Sequence, residues 1–200
     1  MKIKIFALTH KKFEVPQDKM YQPLQVGREE KEDLGYLCDN TGDNISAENC
    51  YYSELTGMYW VWKNSHAKVV GTCHYRRYLL NEQGKLFTEA QILSLLQQYD
   101  VITTKELQLN FSYYEGFASH HKILYLDETA RVIQEIYPDY AADFQQLIYV
   151  LCLLILLFSH CCHSLIRSVD AQYFIMDFSC LSLYSYFIAY FMSQQCMTYR

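Results

Sequence analysis

Along the first ten residues, Ile3, Ile5 and Ala7 alternate with Lys2 and Lys4 before the chain turns wholly apolar. A period of two marks a half-buried strand, so residues 2–10 predict a first strand ending at His10. Residues 39–46 (DNTGDNIS) have loop chemistry, because Asn, Asp and Gly accept turn conformations and bond their own backbone. Ser46 then predicts the cap of a helix running to about Asn64. On it, Tyr52, Leu55, Tyr59 and Trp62 share one face and are expected in the core. Asn49, Ser53, Thr56, Trp60 and Lys63 lie about 100° around and are expected to wall a cleft.

Residues 68–74 predict the next strand. Thr88 and Gln91 match a capping box, and Ile92, Leu96 and Tyr99 give the helix they open a buried face. Residues 100–104 (DVITT) predict a third strand. Asp127 caps a further helix, which Pro138 stops near Tyr137. Strands alternating with helices imply an α/β domain, a mostly parallel sheet with flanking helices. Ligands in such sheets bind beyond the carboxyl ends of the strands, where His10 and the run His74-Tyr75-Arg76-Arg77-Tyr78 both fall. Three cationic or titratable side chains among aromatic rings suit a negatively charged, planar ligand. Read as a strand, Arg76 shares a face with His74, and Arg77 shares one with Tyr75.

Two hundred residues suffice for one ordinary domain. A net charge of −5 and a pI near 5.8 exclude a general nucleic-acid binder, whose affinity comes from basic surface. Tyrosine, at 19 residues, is abundant, which suits positions with one apolar end and one hydrogen-bonding end. The opening residues carry too short an apolar stretch for a signal peptide. The eight cysteines form no CxxC pair and are expected as free thiols in a reducing cytoplasm. His160-Cys161-Cys162-His163 has metal-binding residue types, but adjacent positions chelate one ion poorly and no second cluster completes the set.

The chain changes character near residue 145. From there to residue 200 the only charged side chains are Arg167, Asp170, Asp177 and Arg200. The apolar run 147–158 is shorter than the roughly 18–20 residues of a spanning helix, and a second apolar stretch, 178–192, contains three serines. These runs read as buried helices, with membrane contact as the competing reading. Residues 1–144 are therefore drawn as the domain and 145–200 as an apolar, cysteine-rich tail.

KIKIFALTHKK followed by VP, then MYQPLQVG, DNISAENCYYSELTGMYWVWKN, VVGTCHYRRYL and YDVITTK occur in that order. Together they resemble a family of bacterial capsular and exopolysaccharide glycosyltransferases, catalogued as DUF4422. The resemblance covers residues 1–144 and rests chiefly on ELTGMYWVWKN and HYRRYL. It implies a glycosyltransferase-like (GT-A-like) fold and transfer of a sugar from a nucleotide-sugar donor at the cytoplasmic face of the membrane. The partners implied are the nucleotide sugar and a growing polysaccharide or lipid-linked oligosaccharide acceptor. Galactofuranosyl transfer is one activity associated with relatives. Residues 145–200 depart from the pattern, which reads as a frameshifted or truncated coding sequence and an inactive chain. The competing functional classes are a membrane-tethered accessory protein and a nucleotide-binding module without catalysis.

A nucleotide-sugar donor carries a diphosphate that must be gripped and stabilised as a leaving group, by a metal held on carboxylates or by Arg, Lys and His. No Asp-x-Asp stands at a strand end, so the sequence implies no divalent metal, and the cations take that place. Arginine grips phosphate with a planar fork of donors. The expected donor-binding residues are Thr9, His10, Lys11, Glu54, Trp60, Lys63, Asn64, His74, Tyr75, Arg76 and Arg77, with Tyr75 or Tyr78 stacking on a base or sugar. Asp100, as general base for the acceptor hydroxyl, and His74 are the catalytic candidates. His120 and His121 are lesser candidates, and Asp39 and Asp43 lie in a loop able to fold over the site.

Overall fold

The computed structural model describes residues 3–99, 101–103, 110–149 and 164–167. A six-stranded sheet runs in the order β3-β2-β1-β4-β6-β5. Its strands are β1 (Ile3–Thr9), β2 (Tyr21–Gln25), β3 (Leu37–Cys38), β4 (Val69–His74), β5 (Val101–Thr103) and β6 (Ser164–Arg167). β3, β2, β1 and β4 are mutually parallel, whereas β6 pairs antiparallel with both β4 and β5. The expected mostly parallel α/β sheet is therefore present. β6 lies in the 145–200 segment, yet its backbone pairs inside the sheet. Residues 150–158 of the apolar run 147–158, the run 178–192 and the 160–163 cluster lie outside the described residues.

β1 is apolar on both faces because both faces are covered. Ile3, Ile5 and Ala7 pack with Met20, Tyr21, Val69, Cys73 and, from α3 (Glu89–Leu95) and its end, Ile92 and Leu96. Phe6 and Leu8 pack on the other side with Leu24, Val26 and the inner face of α2 (Leu55–Asn64). α4 (Tyr113–His120), α5 (Leu124–Ile136) and α6 (Ala141–Ile148) contribute a third cluster around Phe117, Leu126 and Ile148.

β2 escapes sequence reading because YQPLQ is neither alternating nor proline-free. Val26 N–H points to β1, donating to the Thr9 carbonyl at 2.9 Å, so Pro23 lacks its N–H on the opposite side. Pairing with β3 begins only at Leu24, beyond the proline. Buried Gln25 is satisfied by the loop it holds: its amide donates to Glu32 O at 2.7 Å, and its oxygen accepts from Leu34 N–H at 2.9 Å.

The predicted helix 46–64 is broken. A 3₁₀ turn at Ser46–Glu48 leads into α1 (Asn49–Tyr52), and Ser53, at φ 50°, separates it from α2. Ser46 does not cap a helix, because its hydroxyl is spent on buried Asp39 at 2.6 Å. The inner face of α2 also differs from expectation. Leu55 is buried as expected, but so are Thr56 and Trp60, while Tyr59 and Trp62 stay partly exposed. Gly57 explains the rotation: a Cβ there would lie 2.5 Å from Val26 Cγ1 and 2.9 Å from a Leu8 methyl, so this face is the one that can approach the sheet.

The Thr88–Gln91 capping box is present, but α3 ends at Leu95, so Tyr99 falls beyond a turn and is exposed. α4 carries a second capping box, Ser112 with Glu115. α5 starts at Leu124, placing Asp127 within its first turn rather than at its cap. It stops at Ile136, just before Pro138.

Candidate functional site

The chain steps from β1 outward to β2 and β3, then returns to β4 on the other side of β1. That reversal makes the carboxyl ends of β1 and β4 the switch point, the place where ligands bind in sheets of this kind. Both clusters singled out in the sequence arrive there.

β1 ends in a local knot. The buried Thr9 hydroxyl donates to Lys11 O at 2.5 Å and accepts from Lys11 N–H at 3.1 Å, leaving His10 and Lys11 exposed at the rim. Thr9 thus shapes the rim by holding the Lys11 backbone with its side chain. β4 stops at His74. Tyr75 N–H donates to Leu8 O at 3.1 Å, and Arg77 N–H closes a turn onto His74 O at 2.9 Å. Arg76 and Arg77 therefore do not occupy opposite faces of a strand. The turn exposes both guanidinium-bearing residues beyond the sheet edge.

Tyr75 organises the cations. Its buried ring meets His10 edge-on at 5.5 Å and Phe13 at 5.7 Å, with the His74 ring at 4.2 Å. Lys11 Nζ lies 5.4 Å from the same ring and the Arg76 guanidinium 5.2 Å, distances at which a cation feels the ring quadrupole. A ring so enclosed orders its neighbours rather than receiving a base. Tyr78 is likewise engaged, donating to Tyr75 O at 2.8 Å and packing on Tyr21.

Burial pushes the His74 imidazole down to about 4, with Arg76, Arg77 and His10 acting in the same direction and Glu54 opposing. The ring is thus neutral at pH 7. Arg76 N–H donates to its Nδ1 at 3.2 Å, which assigns the ring proton to Nε2 and makes that atom an uncharged donor. His10 is also lowered, by burial first and then by Lys11 and Lys31, against the pull of Glu54. One carboxylate, Glu54, thus lies in electrostatic reach of both histidines, among Lys11, Lys31, Arg76 and Arg77. Glu54 immediately precedes α2 and accepts from the Ser53 hydroxyl at 2.9 Å. Lys31 was missed in the sequence because β2, whose loop carries it, was missed.

Other candidates are placed elsewhere. Trp60 packs edge-on against Phe6 in the core, its indole N–H donating to Thr41 O at 2.8 Å. Lys63 sits 3.7 Å above the Trp62 ring and 3.9 Å from Asp43. Asn64 fastens the same loop, donating to Asp43 O at 2.8 Å. Nine residues of helix put Lys63 about 14 Å from Glu54 along the axis, at the end of α2 away from the switch point. Asp39 is fully buried, bonded to Ser46 and Thr56, and so does not fold over the strand ends. His120 bonds to Ser119 and Gly116 of its own helix, and His121 packs on Phe117. Asp100 lies outside the described residues. Among those described, no three His, Cys, Asp or Glu side chains group as a metal site, and no helix is long and apolar enough to cross a membrane. Cys38, Cys50 and Cys73 stand outside any disulfide.

The family model described as "Domain of unknown function (DUF4422)" matches residues 4–155. The structure is similar to the apo structure of the bifunctional glycosyltransferase WbbM, with a TM-score of 0.68 at 22% sequence identity. The likeness covers 98% of this chain and 43% of that one, so this chain spans less than half of that enzyme's length. No curated protein matches.

Proposed function

Because the chain belongs to the DUF4422 family, we propose that it is the donor-binding domain of a glycosyltransferase that moves a sugar from a nucleotide-sugar donor to a capsular or exopolysaccharide acceptor, with galactofuranosyl transfer among its candidate activities. The donor and a lipid-linked or polysaccharide acceptor are its partners, met at the cytoplasmic face of the membrane. The observation that carries this reading is the convergence of Lys11, Arg76 and Arg77 at the β1–β4 switch point, around a buried tyrosine and a neutral histidine. The fold shared with a bifunctional glycosyltransferase supports it.

The chemistry follows from where charge develops. As the bond between the anomeric carbon and the phosphate oxygen breaks, negative charge gathers on the departing diphosphate. Cations fixed before the reaction stabilise that charge without reorganising. The Tyr75 ring supplies this fixing for Arg76 and Lys11. The His74 Nε2–H adds a neutral donor that needs no proton from solvent. Asp100 is the proposed base for the acceptor hydroxyl.

Calorimetric titration of the full chain with UDP and GDP tests this reading. Arg76→Ala is expected to weaken diphosphate binding by about ten- to a hundredfold, the worth of one charged hydrogen bond, without loss of fold. Arg76→Lys should recover part of it, since an ammonium lacks the two-pronged contact. If Arg76→Ala and Arg77→Ala both bind as tightly as the parent, the arginines are structural and the site lies elsewhere.

A further inference from the structure

Resting on the donor-binding reading, we propose that Lys31 is a further phosphate-contacting cation, set on the β2 side of the switch point so that a nucleoside diphosphate is held from two sides. β2 and β4 flank β1 on opposite sides. Lys31, in the loop after β2, and Arg76, in the turn after β4, therefore approach the end of β1 from two directions. His10, at that end, feels the charge of both.

The seating of Lys31 sets it apart from an ordinary surface lysine. Its amine donates to Asn49 Oδ1 at 2.6 Å and reaches Val26 O at 3.4 Å, and among the described residues it has no carboxylate partner. Arg28, three residues earlier, shows the alternative: its guanidinium is 3.8 Å from Asp33. An amine ordered by neutral oxygens is held without a direct ion pair. Ordering so flexible a side chain costs rotamer entropy, which an anion arriving later no longer has to supply.

Asn49 is itself built in. Its amide donates to Ser53 O at 2.6 Å and to Thr56 Oγ1 at 3.0 Å, and the Thr56 hydroxyl donates onward to buried Asp39. Gly27, at φ 65°, leaves the room: a Cβ there would lie 2.3 Å from Asn49 Oδ1. A relay of hydrogen bonds thus runs from a buried carboxylate to the Lys31 amine. The sequence feature behind it is the spacing of Gly27, Lys31, Asp39, Asn49 and Thr56 across two loops and two helices.

The test is calorimetry of Lys31→Ala, Arg76→Ala and the double variant, in the full chain, titrated with UDP and GDP and checked for fold by thermal melting. Lys31 is exposed, so its loss should leave the melt unchanged. Lys31→Ala is expected to weaken binding by about ten- to a hundredfold, with Lys31→Gln alike. The double variant should combine both losses nearly in full, because the two cations share no hydrogen-bond partner among the described residues. If Lys31→Ala binds like the parent while Arg76→Ala is weakened, the inference falls and the donor-binding reading stands. Weakening by Lys31→Ala alone upholds the inference and displaces the 74–77 turn from the site. If the parent binds neither nucleotide, both fall.

Discussion

The hydroxyl of Thr56, in the first turn of α2, donates to the buried carboxylate of Asp39 at 2.6 Å. The same carboxylate accepts from the Ser46 hydroxyl at 2.6 Å, Gly27 N–H at 2.8 Å and Arg28 N–H at 3.1 Å. Four neutral donors thus satisfy a buried charge with no cation involved, joining the loops after β2 and β3 to the start of α2. Asp39→Ala takes the shared acceptor from all four donors, leaving the Thr56 hydroxyl only the Ser53 carbonyl at 3.1 Å, and should cost about 3–5 kcal/mol, while Thr56→Val should cost about 1–3 kcal/mol. Urea denaturation measures both. A loss below about 1 kcal/mol for Asp39→Ala would show that the loops hold without it.

Gly57 sets how closely α2 lies on the sheet. Alanine improves intrinsic helix propensity by about 1 kcal/mol, yet its methyl would meet Val26 and Leu8 well inside contact distance. Overpacking costs about 1–3 kcal/mol, so a net destabilisation is expected in denaturant unfolding. Stabilisation by Gly57→Ala would mean that the helix slides to make room.

His74 ties stability to pH. Its folded value of about 4 lies below the ordinary 6.5, so between these values the unfolded chain binds more protons. Its contribution is complete above about pH 6.5 and is lost as pH falls toward 4. The full window is worth about 3 kcal/mol, of which about 2 kcal/mol disappears by pH 5. His74→Gln should flatten the stability profile between pH 7 and 5. An unchanged slope in that variant would place the titrating group elsewhere.

Lys63 lies at the far end of α2, held against Trp62 and Asp43. Lys63→Ala should leave UDP and GDP affinity unchanged in the calorimetry that Arg76→Ala perturbs. A matching loss for Lys63→Ala would relocate the site to the other end of the helix.

Sequence alone determined the elements whose burial is uniform or whose caps are local. β1 and β4 declare themselves through apolar runs, and the Thr88–Gln91 box through side chains that bond their own backbone. The switch-point cluster was legible too, since His10 and the HYRR run follow directly on those strands. Tertiary structure alone decided the rest. β2 is a strand because pairing with β3 starts only beyond Pro23 and the following loop satisfies Gln25, which no local pattern reports. The face that α2 buries was set by the one position lacking a Cβ, so periodicity named a stripe and packing chose its neighbour. Ser46 was drawn from helix cap to carboxylate partner, and Trp60 from cleft wall to core, by residues distant in the chain. Lys31 entered the site only when β2 took its place beside β1. A hydrogen bond or a charge pair depends on distance in space, and the order of residues fixes that distance only where the chain between them is short and regular.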